Sequence, residues 1–289
     1  MLTQEQIQQF HQNGYLVVEN VIQQDELNQL RQQLEAWVKE SCQYDQPWGT
    51  TIDGRSRFDI DPADHRPEHP SLRRVSSPTE ISEVYYKTAL ESKMAEMAGQ
   101  LIGGNGTKFH HSKINAKLPH TSTTVKWHQD FPFTPHTNDD MITALLMVGE
   151  VTQDNGPLQV ISGSHQGPIY DHWQDGRFTG KVEAEIEAQQ CQNYDSCIGP
   201  AGSVCFMHTR LLHASGANLT ELPRYLYIAV YAAEDAMPLS DNPLPSEHEG
   251  HLVYGDLSGT VRMTPNQLKL PQKPKGASFF VQQAGMEMG

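Results

Sequence analysis

Apolar positions follow two different rhythms along this chain, changing near Gly106. Upstream the rhythm is mostly helical. Ile7 and Phe10 give the first segment one apolar face, Thr3 with Gln6 forms a capping-box signature, and Gly14 is placed to end the helix. "YLVVENVI" (15–22) is rich in β-formers and predicts a short extended segment. A second helix is expected from Asp25 to about Glu40, because Leu27, Leu30, Leu34, Trp37 and Val38 share one stripe. Its Gln-rich remainder reads as a solvated face. From Gln43 to Ser77 the pattern dissolves into Pro, Asp, His and Arg, which predicts a long loop without clear elements. Helical spacing returns from Thr79 to about Ile102 and is stopped by "GGNG" (103–106).

Downstream the period is that of strands. "TKFHHSKINAKL", "TTVKWHQD", "MITALLMVGEV", "PLQVIS", "SVCFMHT" and "RYLYIAVYAAE" are short β-type runs separated by turn residues, with Asp154–Pro157 a strong turn. Many short strands with little helix between them predict a barrel or sandwich, not a parallel βαβ sheet. The expected organisation is one domain over 1–289, mainly β with α. It comprises a supporting helical N-terminal layer to about 106, a β-barrel core over about 107–235 and a C-terminal extension over about 236–289. No internal repeat interrupts this reading.

Composition narrows the function classes. No apolar run approaches the roughly 20 residues of a membrane span. "MLTQEQIQQF" has no basic and apolar signal pattern, and the closing "MEMG" (286–289) is no peroxisomal address, so a cytoplasmic protein is expected. A formal charge of −14 argues against nucleic acid and anionic membranes as partners. Cys42, Cys191, Cys197 and Cys205 lack zinc-site spacing and read as small, partly buried hydrophobes.

Among 14 histidines, a His-x-Asp pair arises easily by chance, so His128 and Asp130 in "VKWHQDFP" need a third partner. In a strand, residues two apart share a face, and both would then project into a barrel mouth. His213 in "HTRLLHASGAN" is the candidate third ligand. Two imidazoles and a carboxylate on one face form the arrangement typical of non-haem Fe(II) oxygenases, with positions left open for a cosubstrate and O2. Arg224 could hold an anionic cosubstrate through two parallel hydrogen bonds, and Ser215, two residues beyond His213, could donate to the same carboxylate. His208 is the rival ligand but lacks the Ser and Arg at those offsets. His110 and His111 are adjacent, so they should face opposite sides of a strand. Arg55, Arg57, Arg73 and Arg74 lie in the long loop, which could act as a lid or meet an anionic substrate.

In this order and spacing, "HQD" (128–130), "DNGPLQVISGSHQG" (154–167), "HASGAN" (213–218) and Arg224 closely resemble the phytanoyl-CoA dioxygenase family over about Phe109–Glu234. The resemblance implies a double-stranded β-helix (jelly-roll or cupin-like barrel) and an Fe(II)- and 2-oxoglutarate-dependent dioxygenase. Such an enzyme hydroxylates a small-molecule substrate and releases succinate and CO2. It assigns His128, Asp130 and His213 to iron, Arg224 and Ser215 to the distal carboxylate of 2-oxoglutarate, and Asn115 and Thr143 to polar positions beside that cosubstrate. Leu145 departs from the family pattern, which often has Trp there. The alternative is a cupin-like metal- or small-molecule-binding protein without redox activity.

Overall fold

The computed structural model describes residues 1–272 and 279–283. The closing "MEMG" therefore lies outside the described residues. Among the described residues there are six α-helices: α1 (Gln4–Asn13), α2 (Gln24–Ser41), α3 (Glu83–Leu90), α4 (Lys93–Ile102), α5 (Ala184–Gln190) and α6 (Phe279–Gln283). Strands β1 (Tyr15–Val18), β2 (Phe58–Ile60), β3 (Leu72–Ser76), β4 (Gly106–Lys117), β5 (Val125–His128), β6 (Met141–Met147) and β7 (Leu158–Val160) come first. They are followed by β8 (Trp173–Gln174), β9 (Arg177–Phe178), β10 (Asp195–Cys197), β11 (Val204–His208), β12 (His213–Ser215), β13 (Arg224–Ala233) and β14 (Leu252–Gly255).

Local signals govern the helices. The Thr3–Gln6 capping box is formed in both directions, and Gly14 closes α1 with φ of 80°. That conformation favours glycine, and the space does too: a Cβ here would lie 2.3 Å from His165 Nδ1. The α2 stripe buries Leu27, Leu30, Leu34 and Trp37, as the spacing predicts. The expected helix from Thr79 is divided into a short 3-10 turn, α3 and α4.

Two antiparallel sheets face one another. The larger runs β1-β11-β6-β13-β4-β3-β2, with β14 also pairing β4; the smaller runs β10-β7-β12-β5. Alternation gives the large sheet two different faces. One face, with Ile114, Ala144, Leu146, Phe206, Tyr225, Tyr227 and Tyr231, packs in one core with α2, α3 and α4 residues such as Leu30, Tyr85 and Met94. The tyrosines are satisfied there: Tyr227 donates to the Tyr85 carbonyl at 2.8 Å and Tyr231 to that of Ala89 at 2.7 Å. The other face, with Leu145, Met147, Met207, Leu226 and Ile228, packs on Leu158, Val160 and Cys197 of the smaller sheet. The functional side chains stand in this second interlayer space.

The extended segment expected within 15–22 forms as β1, which joins the large sheet. One expectation for the N-terminal third needs correction: residues 43–77 are not a loop without elements, because β2 and β3 pair antiparallel within them and join the same sheet. Their periodicity was hidden by buried charge. Arg57 pairs with Glu80 at 2.7 Å, and Arg73 pairs with Asp59 at 2.8 Å and Asp61 at 3.0 Å. A paired ion can occupy an inward position that a hydrophobic pattern would leave to a valine. Among the described residues no helix is long and apolar enough to cross a membrane.

Candidate metal and cosubstrate site

His128 ends β5 and His213 opens β12, and the two are direct cross-strand partners. Their rings lie 4.0 Å apart between centroids. Each is oriented in the same way. Nδ1 of His128 donates to the Lys126 carbonyl at 2.7 Å, and Nδ1 of His213 donates to the Leu211 carbonyl at 2.9 Å. A carbonyl can only accept, so the proton is fixed on Nδ1 and both Nε2 lone pairs face inward.

Asp130 does not belong to the strand, contrary to the two-residue argument that brought it forward. The strand stops at His128, and Asp130 has a helical backbone (φ −74°, ψ −34°) at the start of a 3-10 turn. The turn still carries its Oδ1 to 3.5 Å from both Nε2 atoms. Among the described residues, His128, Asp130 and His213 are the one group able to hold a metal ion, with ligand atoms all within 4.8 Å of one another.

The electrostatics suit a cation. Burial and the neighbouring His213 push the His128 imidazole down to about 4, so it stays neutral and able to bind. Burial would raise the Asp130 carboxyl, but His213, His128 and Lys113 hold it well below the usual carboxylate range. Its Oδ2 accepts from the Thr143 hydroxyl at 2.7 Å. Thr143, expected beside the cosubstrate, lines the chamber that leads from the triad, and its hydroxyl also orients a candidate metal ligand. Between the ligands, fully buried Gln129 fastens three loop segments. Its Nε2 donates to the Pro168 carbonyl at 3.1 Å and the Arg210 carbonyl at 2.7 Å, while its Oε1 accepts from Tyr170 N at 2.8 Å.

From the triad a chamber runs inward past Leu145, Leu158, Leu226 and Ile228 to Ser215 and Arg224. Arg224 is 2% exposed, and burial lowers its guanidinium to about 9. Nη1 donates to the Asn115 carbonyl at 3.3 Å, but Nε has no partner. A buried unsatisfied guanidinium nitrogen is costly and fits an anion that would complete it. Ser215 lines the same chamber, as expected, and its Oγ accepts from Lys117 Nζ at 2.7 Å. Lys117 also donates to the Gly216 carbonyl, and burial together with Arg224 pushes its ammonium well below the normal lysine range. Sequence reasoning passed over Lys117. The signal was the alternation His111, Lys113, Asn115, Lys117 along one face of β4.

The remaining candidates separate clearly. Asn115 lines the chamber and its Oδ1 accepts from Arg74 Nε at 3.4 Å. His208 is turned away: its Nδ1 accepts from Arg210 N at 3.1 Å and its ring lies 5.3 Å from that of His165. His110 and His111 do not keep to opposite faces, since their Nδ1 atoms lie 2.6 Å apart. The β13 register shifts here, pairing Val230 with His111 and Tyr231 with Phe109, and a bulge breaks alternation at His110. Of the four loop arginines, Arg55, Arg57 and Arg73 are held in ion pairs, and Arg55 and Arg74 line a second cavity beside Asp130.

A two-histidine, one-carboxylate pocket between antiparallel sheets, with a buried arginine at its far end, defines a non-haem metal oxygenase class of site. The model of the family "Phytanoyl-CoA dioxygenase (PhyH)" matches residues 10–225, and the chain belongs to that family of iron- and 2-oxoglutarate-dependent dioxygenases. The chain is 33% identical over 204 residues to the "Probable alpha-ketoglutarate-dependent hypophosphite dioxygenase" of Stutzerimonas stutzeri, covering 69% of this chain and 71% of that protein. It is 26% identical to the ectoine dioxygenase of Stutzerimonas stutzeri (strain A1501), over 84% of this chain and 82% of that one. The apo crystal structure of EctD from S. alaskensis shares the fold, with a TM-score of 0.69 at 21% identity, covering 89% of this chain and 88% of that one.

Proposed function

We propose that this chain is a cytoplasmic double-stranded β-helix dioxygenase that hydroxylates a small-molecule metabolite. The overall change is insertion of one oxygen atom of O2 into a substrate bond, while 2-oxoglutarate takes the other and leaves as succinate and CO2. Iron(II) and 2-oxoglutarate, when bound, supply the O2 activation and the oxidising equivalents. The protein supplies the rest. His128, Asp130 and His213 hold the metal on one side, and Thr143 keeps Asp130 turned toward it. Arg224 and Ser215 hold the distal carboxylate, with Asn115 bracing Arg224 through its carbonyl and Lys117 supporting Ser215. The apolar walls from Leu145 to Ile228 keep water from the reacting groups.

The observation that carries this reading is the buried Arg224 Nε, unpartnered and in the same chamber as two Nε2 lone pairs and a carboxylate. A cupin-like binding protein without redox chemistry has no use for that guanidinium. The test is calorimetry of 2-oxoglutarate with the Mn(II)-loaded protein, paired with succinate formation by the Fe(II) form. Metal-dependent 2-oxoglutarate binding and slow substrate-free succinate release are expected. Metal binding without any 2-oxoglutarate affinity would return the chain to the cupin-like alternative.

A further inference from the structure

Two cations beside the triad, buried Arg74 and partly buried Lys113, have no ligand in the function described so far. Arg74 on β3 and Lys113 on β4 are diagonal neighbours on one face of the large sheet, where Arg74 pairs with Asn115 and Lys113 with Ser76. Both line the cosubstrate chamber and also a second cavity of about 140 Å³ on the other side of Asp130. By volume, that cavity holds on the order of ten waters, the scale of a small metabolite.

Neither cation is neutralised by a carboxylate within ion-pair distance among the described residues. Asp59 and Asp61, the acidic groups near Arg74, are taken by Arg73. Arg74 is 4% exposed, and its polar contact is the long Nε–Asn115 bond of 3.4 Å. Its guanidinium carbon lies 5.1 Å and 5.3 Å from the ring centres of Phe279 and Phe280. The Lys113 Nζ has an aromatic neighbour, 5.9 Å from the Phe279 centre, and no hydrogen bond among the described residues. Burial first, and Arg74 second, lower Lys113 to about 8, which still leaves it mostly charged at neutral pH. On the outer wall, Arg55 is matched by Asp53 at 2.7 Å, and Asp241 has a partner of its own.

Holding cations in a partly dry cavity without a carboxylate partner is unfavourable unless an anion completes them. The cosubstrate does not remove the excess. Iron(II) with Asp130 leaves one positive charge; Arg224, Arg74 and Lys113 bring it to four, dianionic 2-oxoglutarate lowers it to two, and the carboxylate that Arg73 leaves unmatched between Asp59 and Asp61 lowers it to one. Two donors on neighbouring strands, one a planar fork and one an ammonium, can hold separate oxygens of one anionic head, and a tetrahedral head with three oxygens offers one to each donor. Phe133, Phe178 and Val230 supply an apolar wall for the rest of a small molecule.

We propose that the primary substrate is a small molecule with a compact anionic head of phosphonate or phosphate type, held by Arg74 and Lys113 in the cavity beside Asp130. The inference rests on the oxygenase reading above and adds the substrate class to it.

The experiment uses the full chain loaded with Mn(II) and saturating 2-oxoglutarate. Relaxation of the 31P signals of methylphosphonate and inorganic phosphate by the bound Mn(II) reports binding near the metal, even when it is weak. Methanesulfonate, of similar shape but singly charged, is the competitor. We expect displaceable binding of a phosphorus anion, with methanesulfonate at least about tenfold weaker as a competitor. Arg74→Gln and Lys113→Gln should each weaken the anion about tenfold or more, as loss of a charge-assisted hydrogen bond does, and weaken 2-oxoglutarate by less than the anion. Tighter methylphosphonate points to an organophosphonate substrate and tighter phosphate to a phosphate ester; either supports the shared chemistry. Equal competition by methanesulfonate would overturn the preference for a phosphorus head. No anion binding in protein that binds 2-oxoglutarate overturns the inference and leaves the oxygenase reading standing, as does loss of 2-oxoglutarate affinity alone in the two variants. Failure of the unmodified Mn(II) protein to bind 2-oxoglutarate overturns both.

Discussion

Thr143→Val replaces the hydroxyl that faces Asp130 with a methyl of nearly the same volume. The lost contact is a 2.7 Å hydrogen bond to an ionised carboxylate, from a residue 2% exposed. Hydrogen bonds to charged groups contribute roughly 1.5–3 kcal/mol. The Asp130 side chain keeps 18% of its exposure, so water can replace part of the contact and the lower half of that range applies. The loss should appear in metal affinity, because the hydroxyl fixes the orientation of a ligand; supporting contacts of this kind are typically worth 10–100-fold. We expect roughly tenfold to thirtyfold weaker Co(II) binding in competition with a chelator, and recovery of most of it in Thr143→Ser. Affinity for 2-oxoglutarate at saturating metal should stay within about twofold. A valine variant that binds metal as tightly as the unmodified protein would refute the orienting role. A defect confined to 2-oxoglutarate would return Thr143 to the cosubstrate-facing position that the family resemblance implied.

Arg224→Lys should leave metal affinity unchanged and weaken 2-oxoglutarate by at least about tenfold, since an ammonium cannot reproduce a two-pronged contact; calorimetry with Mn(II) checks it. Alanine at any one of His128, Asp130 or His213 should abolish most metal binding, whereas His208→Ala should keep it; the reverse result at 208 and 213 would displace His213 as the third ligand. Gln129→Leu leaves the Pro168 and Arg210 carbonyls and the Tyr170 amide without their partner. It should therefore lower unfolding free energy by about 2–4 kcal/mol in urea titrations, before any effect on turnover is considered. Gly14→Ala forces a side chain into a left-handed backbone against His165 and should cost about 2 kcal/mol or more, read as a lower thermal midpoint.

What could be read from sequence was what is local. A capping box, a C-terminal glycine and a five-residue leucine–tryptophan stripe each act within a few turns, and α1 and α2 follow them closely. The triad was legible because its order and spacing carry it, although the strand argument for Asp130 was not the geometry that operates. The short strands β2 and β3 were hidden because Arg57, Asp59 and Arg73 occupy buried positions as ion pairs, and period-two hydrophobicity cannot register a charge that finds its partner. Arg73 and Arg74 are neighbours in sequence with different fates, one neutralised by two aspartates and one turned to the cavity. Nothing in their local pattern distinguishes them; the pairing of β3 with β4 does.

Strand β4 carries a consequence for how this enzyme can change. Its inward residues run from His111 through Lys113 and Asn115 to Lys117, from the outer cavity to the floor beneath Ser215. On the function proposed above, a single strand would act as a ruler, with the substrate read at one end and the cosubstrate supported at the other. Replacement at 111 or 113 can retune what is accepted while 115 and 117 continue to support the same cosubstrate. The ruler cannot slide, however. A shift of one residue would turn Ile114 and Ala116 into the chamber and drive two lysines into the tyrosine-lined core against the helices. Specificity in this molecule is therefore free to drift by substitution, but not by insertion or deletion within β4.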